Sequence, residues 1–132
     1  MSTTQPLVEE LRENLKRTNH LSSDEQLRLL DDQLRMAEQK IADNEKEIST
    51  NLSKSAVMTM LAGGISHYGK TQAKQMFVTI IQKQIPNSKE WEGYWSLLQE
   101  KFPSSSRISS LAQRHAANLQ HLMSLLKAIE NY

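Results

Sequence analysis

Apolar residues recur along this chain at spacings of three and four, the period of an α-helix that buries one face. The longest such run follows Ser22, where Glu25 lies three residues on and completes a helix-capping signal. The run forms a heptad seam, a line of positions along one side of a helix. The seam residues are Leu27, Leu30, Leu34, Ala37, Ile41, Asn44, Ile48 and Asn51. Because no segment shows the alternation typical of a strand, the pattern predicts an all-α fold of five to six helices.

The seam predicts a long helical hairpin or coiled-coil-like element. A continuous helix over residues 23–62 would contain 40 residues and extend about 60 Å. A compact domain of this length has a radius of gyration of only about 14 Å. The helix must therefore either break near Ser49 or project and be covered by a partner. The partner would be another protein or a second copy of the chain, which would form a homo-oligomer. The residues predicted to contact it are Leu27, Leu30, Leu34, Ile41, Asn44 and Ile48.

Shorter helices are predicted on both sides of this segment. A first helix starts at Thr4 and Pro6, and the pair Gly63–Gly64 is expected to end the long segment. Beyond it, residues 70–131 predict a small C-terminal bundle of three helices, which Pro86 and Pro103 separate. We expect one helical domain over residues 1–132, divided into 1–22, 23–62 and 70–131. Two independent cores do not fit this length.

The composition excludes several kinds of site and several classes of protein. The chain has no cysteine, which excludes disulfides and thiolate metal sites, and its four histidines do not form a ligand set. The longest uncharged run, residues 55–69, is shorter than the roughly 20 residues that a membrane span needs. Since no signal peptide is visible, we expect a cytoplasmic protein, or one exported without a hydrophobic signal. No constellation of catalytic side chains is recognisable, so we expect neither an enzyme nor a cofactor.

Charge differs between the two halves of the chain. Residues 1–62 carry 11 acidic and 8 basic side chains, net −3, whereas residues 63–132 carry 4 acidic and 8 basic, net +4. On the last predicted helix Arg107, Arg114 and His121 recur every seven residues, and such a basic stripe can follow nucleic-acid phosphates. An alternative function is therefore a small nucleic-acid-binding regulator, although a solvated helix face gives the same pattern.

One segment matches a phosphate-binding pattern. Residues 64–71 read G-x-x-x-x-G-K-T, in which Gly64 and Gly69 would free the backbone to surround phosphate while Lys70 and Thr71 bind phosphate and metal. The segment before it is more typical of a helix than of the strand that such a loop follows. We treat nucleotide or anion binding here as a remote alternative to a helix cap and turn.

Aromatic residues cluster in one predicted helix. Trp91, Tyr94 and Trp95 share a face with Leu98 and Phe102, which favours a core-facing stripe over a platform on which bases stack. The function that best fits the whole chain is a non-enzymatic protein–protein interaction protein: an adaptor, a chaperone-like protein or an assembly subunit. It would act through its apolar helical seam.

Overall fold

The structure is a computed structural model that describes residues 6–132, apart from the side chains of residues 6 and 85–88. The predicted helix start at Thr4 lies outside the described residues. Over the described residues there are helices and no strands, which confirms the all-α prediction. The six helices are α1 (Pro6–Arg17), α2 (Ser23–Leu29), α3 (Asp31–Ser49), α4 (Lys54–Tyr68), α5 (Lys70–Lys101) and α6 (Ser106–Glu130).

The long segment over residues 23–62 is broken twice. Ser22 caps α2 as predicted, since its hydroxyl accepts a hydrogen bond from the backbone N–H of Glu25. Leu30 joins α2 to α3. Helix α3 then ends at Ser49. Ser53 caps α4, since its hydroxyl accepts a hydrogen bond from the backbone N–H of Ala56 at 3.1 Å. Of the two alternatives, the break near Ser49 is therefore the one that forms.

The prediction that Gly63–Gly64 ends a helix is wrong, because α4 continues to Tyr68. Inside a helix a glycine costs about 1 kcal/mol relative to alanine, which packing can offset. A Cβ built on Gly64 would lie 3.5 Å from the Cβ of Ala73, an ordinary van der Waals distance, so Gly64 lies where α4 packs on α5. The helix ends instead at Gly69, whose φ of +86° suits glycine.

The prediction that Pro86 ends a helix is also wrong. Helix α5 runs for 32 residues from Lys70 to Lys101, so residues 70–131 form two helices and not three. A proline inside a helix removes one backbone hydrogen bond and costs about 3 kcal/mol. Here α5 packs along α6, and it buries side chains on both sides of the proline, for example Ile81 and Tyr94. This packing offsets the local cost of the proline.

Buried apolar side chains form two clusters, which share helices α5 and α6. The first cluster comprises Val8, Leu11, Leu15, Leu30, Leu34, Ala37, Ile41, Tyr94, Trp95, Leu98, Phe102, Ile108, Leu111 and Ala112. The second comprises Val57, Leu61, Ala73, Ile81, Leu122, Leu125 and Ile129. Helices α1 to α3 thus pack on one end of the α5–α6 pair and α4 packs on the other.

Candidate functional site

Four of the eight seam residues, Leu30, Leu34, Ala37 and Ile41, lie inside the first cluster. Leu30, Leu34 and Ile41 are only 5%, 1% and 2% exposed, and Leu27 is half-buried against the same cluster. Asn44 and Ile48 are also half-buried. Because other helices of this chain already cover the seam, its burial requires no partner. The role of these six residues in partner binding stays a prediction.

Acidic side chains of α3 form ion pairs with basic side chains of α6. Arg107 binds Asp31 at 2.7 Å, and seven residues further along each helix Arg114 lies 3.8 Å from Glu38. Arg114 also binds Glu45 at 2.5 Å. The basic stripe considered for nucleic acid is therefore paired, at both arginines, with a matching acidic stripe on α3.

These ion pairs shift the acidity of the groups involved. Hydrogen bonds from Arg107 and Arg114 lower the pKa of Asp31 and of Glu45, respectively, and the Glu45 bond raises the pKa of Arg114. The four side chains in these two pairs are between 32% and 41% exposed, so water screens the attraction between their charges. The pairs therefore set the register of α3 on α6 more than they stabilise the fold.

Two further basic side chains, His121 and Lys74, contact backbone carbonyl oxygens. His121, third in the basic stripe, places Nε2 2.7 Å from the backbone oxygen of Leu52 between α3 and α4. Lys74 donates a hydrogen bond to the backbone oxygen of Glu130 at 2.7 Å. Since Glu130 is the last residue of α6, this ammonium satisfies a carbonyl at the negative end of the helix dipole.

The structure does not place the G-x-x-x-x-G-K-T segment in an open loop after a strand. Gly64 lies within α4, and Gly69 donates its N–H to the backbone oxygen of Ile65 at 2.9 Å. Lys70 and Thr71 are exposed in the first turn of α5. Gly69 thus serves the tight turn between α4 and α5, and Gly64 is a helical residue at the contact between these helices. The backbone of residues 64–68 is helical and does not form a phosphate cradle.

The aromatic stripe is part of the core, as predicted. Tyr94 and Trp95 are each 2% exposed, and Trp91 is half-buried against the first cluster. The Tyr94 ring packs edge-on against Trp91 and Trp95, at centroid distances of 5.2 and 5.3 Å. Burial and the nearby Glu10 carboxylate raise the pKa of Tyr94 to about 12. Tyr94 and Trp95 are therefore core side chains, and Trp91 packs on them at the edge of the core.

A groove on the surface, which the sequence analysis did not identify, lies between α1 and α2–α3. At one end a recess of about 280 Å³ is lined by Leu7, Glu10, Leu11, Gln33, Met36, Trp91 and Tyr94. At the other end a recess of about 380 Å³ is lined by Asn14, Arg17, Thr18, Gln26, Leu29, Leu30 and Gln33. Gln33 lines both, so we treat the two recesses together as the α1–α3 groove.

Two exposed apolar side chains border this groove. Leu29 is 62% exposed and Met36 is 75% exposed, one on each side of Gln33 along the chain. Leu29 ends α2 and Met36 lies in α3, beyond the break at Leu30, so the fold and not the period of one helix brings them to the same surface. Both residues also fall outside the heptad positions, so the apolar seam did not indicate this surface.

No cluster of histidine, aspartate or glutamate among the described residues is arranged to hold a metal ion. Within the same residues, no helix is long and apolar enough to cross a membrane. Comparisons with family models, with curated proteins and with solved structures found no significant match.

Proposed function

We propose that this chain is a non-enzymatic protein-interaction module that binds an amphipathic helix of a partner protein in the α1–α3 groove. The observation that carries the proposal is the 75% exposure of Met36 at the edge of a recess that also contains half-buried Trp91. Methionine and tryptophan are enriched at protein interfaces. A methionine side chain is also flexible enough to adapt to the surface of a partner helix.

The dimensions of the groove support a helix as the occupant. Along α1 the groove extends from Leu7 to Thr18, which is about 17 Å at the rise of an α-helix. That length corresponds to about three turns, enough for side chains at positions i, i+4 and i+7 of a docked helix. These positions would contact Met36, the polar centre at Gln33, and Leu29.

Charge at the two ends of the groove indicates the orientation of the bound helix. Glu10 lies at the end that contains Met36, and Arg17 lies at the end that contains Leu29. A partner helix with a lysine beside Glu10 and a glutamate beside Arg17 would complement both charges. A helix with the reverse order would place like charges together.

The experiment uses a synthetic three-turn amphipathic peptide with leucines at i, i+4 and i+7 and with lysine and glutamate at the two complementary ends. Binding to the full chain is followed by amide chemical shifts. We expect shifts confined to α1, α2, the first half of α3 and the part of α5 around Trp91. The peptide whose terminal charges are exchanged should bind more weakly. Met36→Lys should weaken binding by about tenfold or more, which is about 1.4 kcal/mol.

Met60→Lys is the matched control, since Met60 is also exposed, at 46%, but lies on α4. Equal weakening by the two substitutions would reject the groove as the site, and so would the absence of any shift in it. Light scattering on the protein alone tests the other occupant. A dimer that Met36→Lys dissociates would show that a second copy, and not a partner helix, occupies the groove.

A further inference from the structure

A polar cavity lies between the two apolar clusters. It measures about 80 Å³ and is lined by Lys40, Asn44, Glu47, Ile48, Leu52, Gln84, His115, Asn118 and Leu122. His115 and Asn118 are 4% and 9% exposed. Asn118 donates a hydrogen bond to the backbone oxygen of Ile41 at 3.4 Å. Other polar side chains from α3 and α5 also line the cavity, and a few convergent polar groups around a pocket are typical of a binding site.

A second, smaller cavity of about 10 Å³ adjoins the first, and three of its lining residues, Lys40, Asn44 and His115, are the same. Trp95 lines it, and the indole Nε1 of this residue is buried without a hydrogen-bond partner among the described residues. A buried donor left in this state costs free energy that an acceptor would restore. The position of Trp95 therefore points to an acceptor oxygen next to it.

The other polar groups of the cavity include one ammonium, one carboxylate and several amides. Lys40 is half-buried and forms no ion pair with the carboxylates of the described residues. The side-chain amides of Asn44 and Gln84 can each donate two hydrogen bonds. Glu47 is the single carboxylate of the lining, and it accepts a hydrogen bond from Asn51 at 3.2 Å. Lys40 and the Trp95 indole can only donate, and the smaller cavity that both line has no carboxylate in its lining, which favours an anionic acceptor on that side.

We propose that the cavity binds a small aliphatic monocarboxylate of the size of acetate or propionate. Its carboxylate lies where the two cavities adjoin, since Lys40 and Asn44 line both and Trp95 lines the smaller one. Its short alkyl group packs on Ile48, Leu52 and Leu122, which form the apolar wall. The volume suits such a ligand, because a water molecule takes about 30 Å³ and the larger cavity has room for two or three.

The experiment follows the indole N–H resonance of Trp95 by nuclear magnetic resonance during titration with acetate and then propionate. The chain contains two tryptophans, so a Trp91→Phe variant assigns the signals. We expect a saturable shift of the Trp95 signal. Acetamide has the same shape without the charge, and its affinity should be lower than that of acetate by a factor of about ten or more. Ligands this small bind in the millimolar range, so the titration extends to high concentration.

Two lysines of α3 provide the matched variants. Lys40→Met removes the cavity ammonium and should weaken acetate binding by about tenfold. Lys46→Met removes an exposed lysine of the same helix and should leave binding unchanged. Circular dichroism checks that both variants are folded.

Three results would overturn the proposal. The first is a Trp95 signal that no carboxylate shifts, which would mean that the cavity holds water alone. The second is binding of acetamide as tightly as acetate. The third is an equal effect of the Lys40→Met and Lys46→Met substitutions.

Discussion

Arg114 donates hydrogen bonds from two guanidinium nitrogens to the two carboxylate oxygens of Glu45, at 3.0 and 2.5 Å. This geometry matches the planar fork of arginine to a carboxylate and fixes both direction and distance. It joins α6 to α3 near the polar section between the two apolar clusters. The pair is thus the most specific of the contacts between the acidic and basic series.

Replacing Arg114 with methionine should destabilise the fold by about 1 kcal/mol. The magnitude is modest because the side chains are 35% and 39% exposed and exposed ion pairs contribute little. Chemical denaturation of the wild type and the variant measures the change. The matched control is Arg12→Met, which removes a 3.7 Å pair with Glu9 whose side chains are 61% and 59% exposed. An effect of Arg12→Met as large as that of Arg114→Met would contradict the prediction.

The same pair predicts how stability depends on pH. Arg114 lowers the pKa of Glu45 below its ordinary value of 4.5, so the folded state binds this proton less tightly than the unfolded state. The stabilisation is present above pH 4.5 and is lost as the pH falls through the lowered pKa. In Arg114→Met the decline of melting temperature below pH 4.5 should be shallower than in the wild type. Parallel declines in the two proteins would show that the pair makes no such contribution.

Leu34→Ala should destabilise the fold by about 2–5 kcal/mol, since a buried leucine loses both transfer free energy and packing. Leu34 is 1% exposed in the first cluster, whereas Met36 two residues away is 75% exposed. Met36→Ala should therefore change the free energy of unfolding by less than about 0.5 kcal/mol. A folded and equally stable Leu34→Ala protein would place the seam at the surface and restore the hypothesis that a partner covers it.

Gly63, inside α4, and Gly69, in the turn after it, should respond to alanine in opposite directions. Gly63 has open space where a Cβ would lie, so Gly63→Ala should stabilise α4 by about 0.5–1 kcal/mol. Gly69 has a φ of +86°, and Gly69→Ala should destabilise the turn by about 1–2 kcal/mol. Thermal denaturation of the two variants measures both changes. Destabilisation by Gly63→Ala would indicate that this residue is not helical in solution.

Local signals in the sequence predicted a large part of the fold. Ser22 and the apolar period identified the start and the buried face of the seam, and the aromatic stripe identified Tyr94 and Trp95 as core. Each of these signals depends on residues within a few turns of one helix. Such interactions are encoded locally, which is why periodicity and capping suffice to read them.

The features that the sequence did not predict depend on contacts between distant segments. Pro86 and Gly64 oppose a helix locally, and the packing of α5 on α6 and on α4 overrides them. The sequence displayed the seven-residue series of Asp31 and of Arg107, but their pairing across 76 positions requires the tertiary fold. The α1–α3 groove likewise forms only where two separate helices meet.

Both tryptophans of the chain belong to the first cluster, Trp95 within it and Trp91 packed against it. Intrinsic fluorescence therefore reports the unfolding of that end of the bundle and carries no direct signal from α4 and the second cluster. Helical circular dichroism reports both ends. Coincident curves from the two probes would show that the shared α5–α6 pair transmits unfolding from one cluster to the other as a single cooperative event, and separated curves would give each cluster its own midpoint.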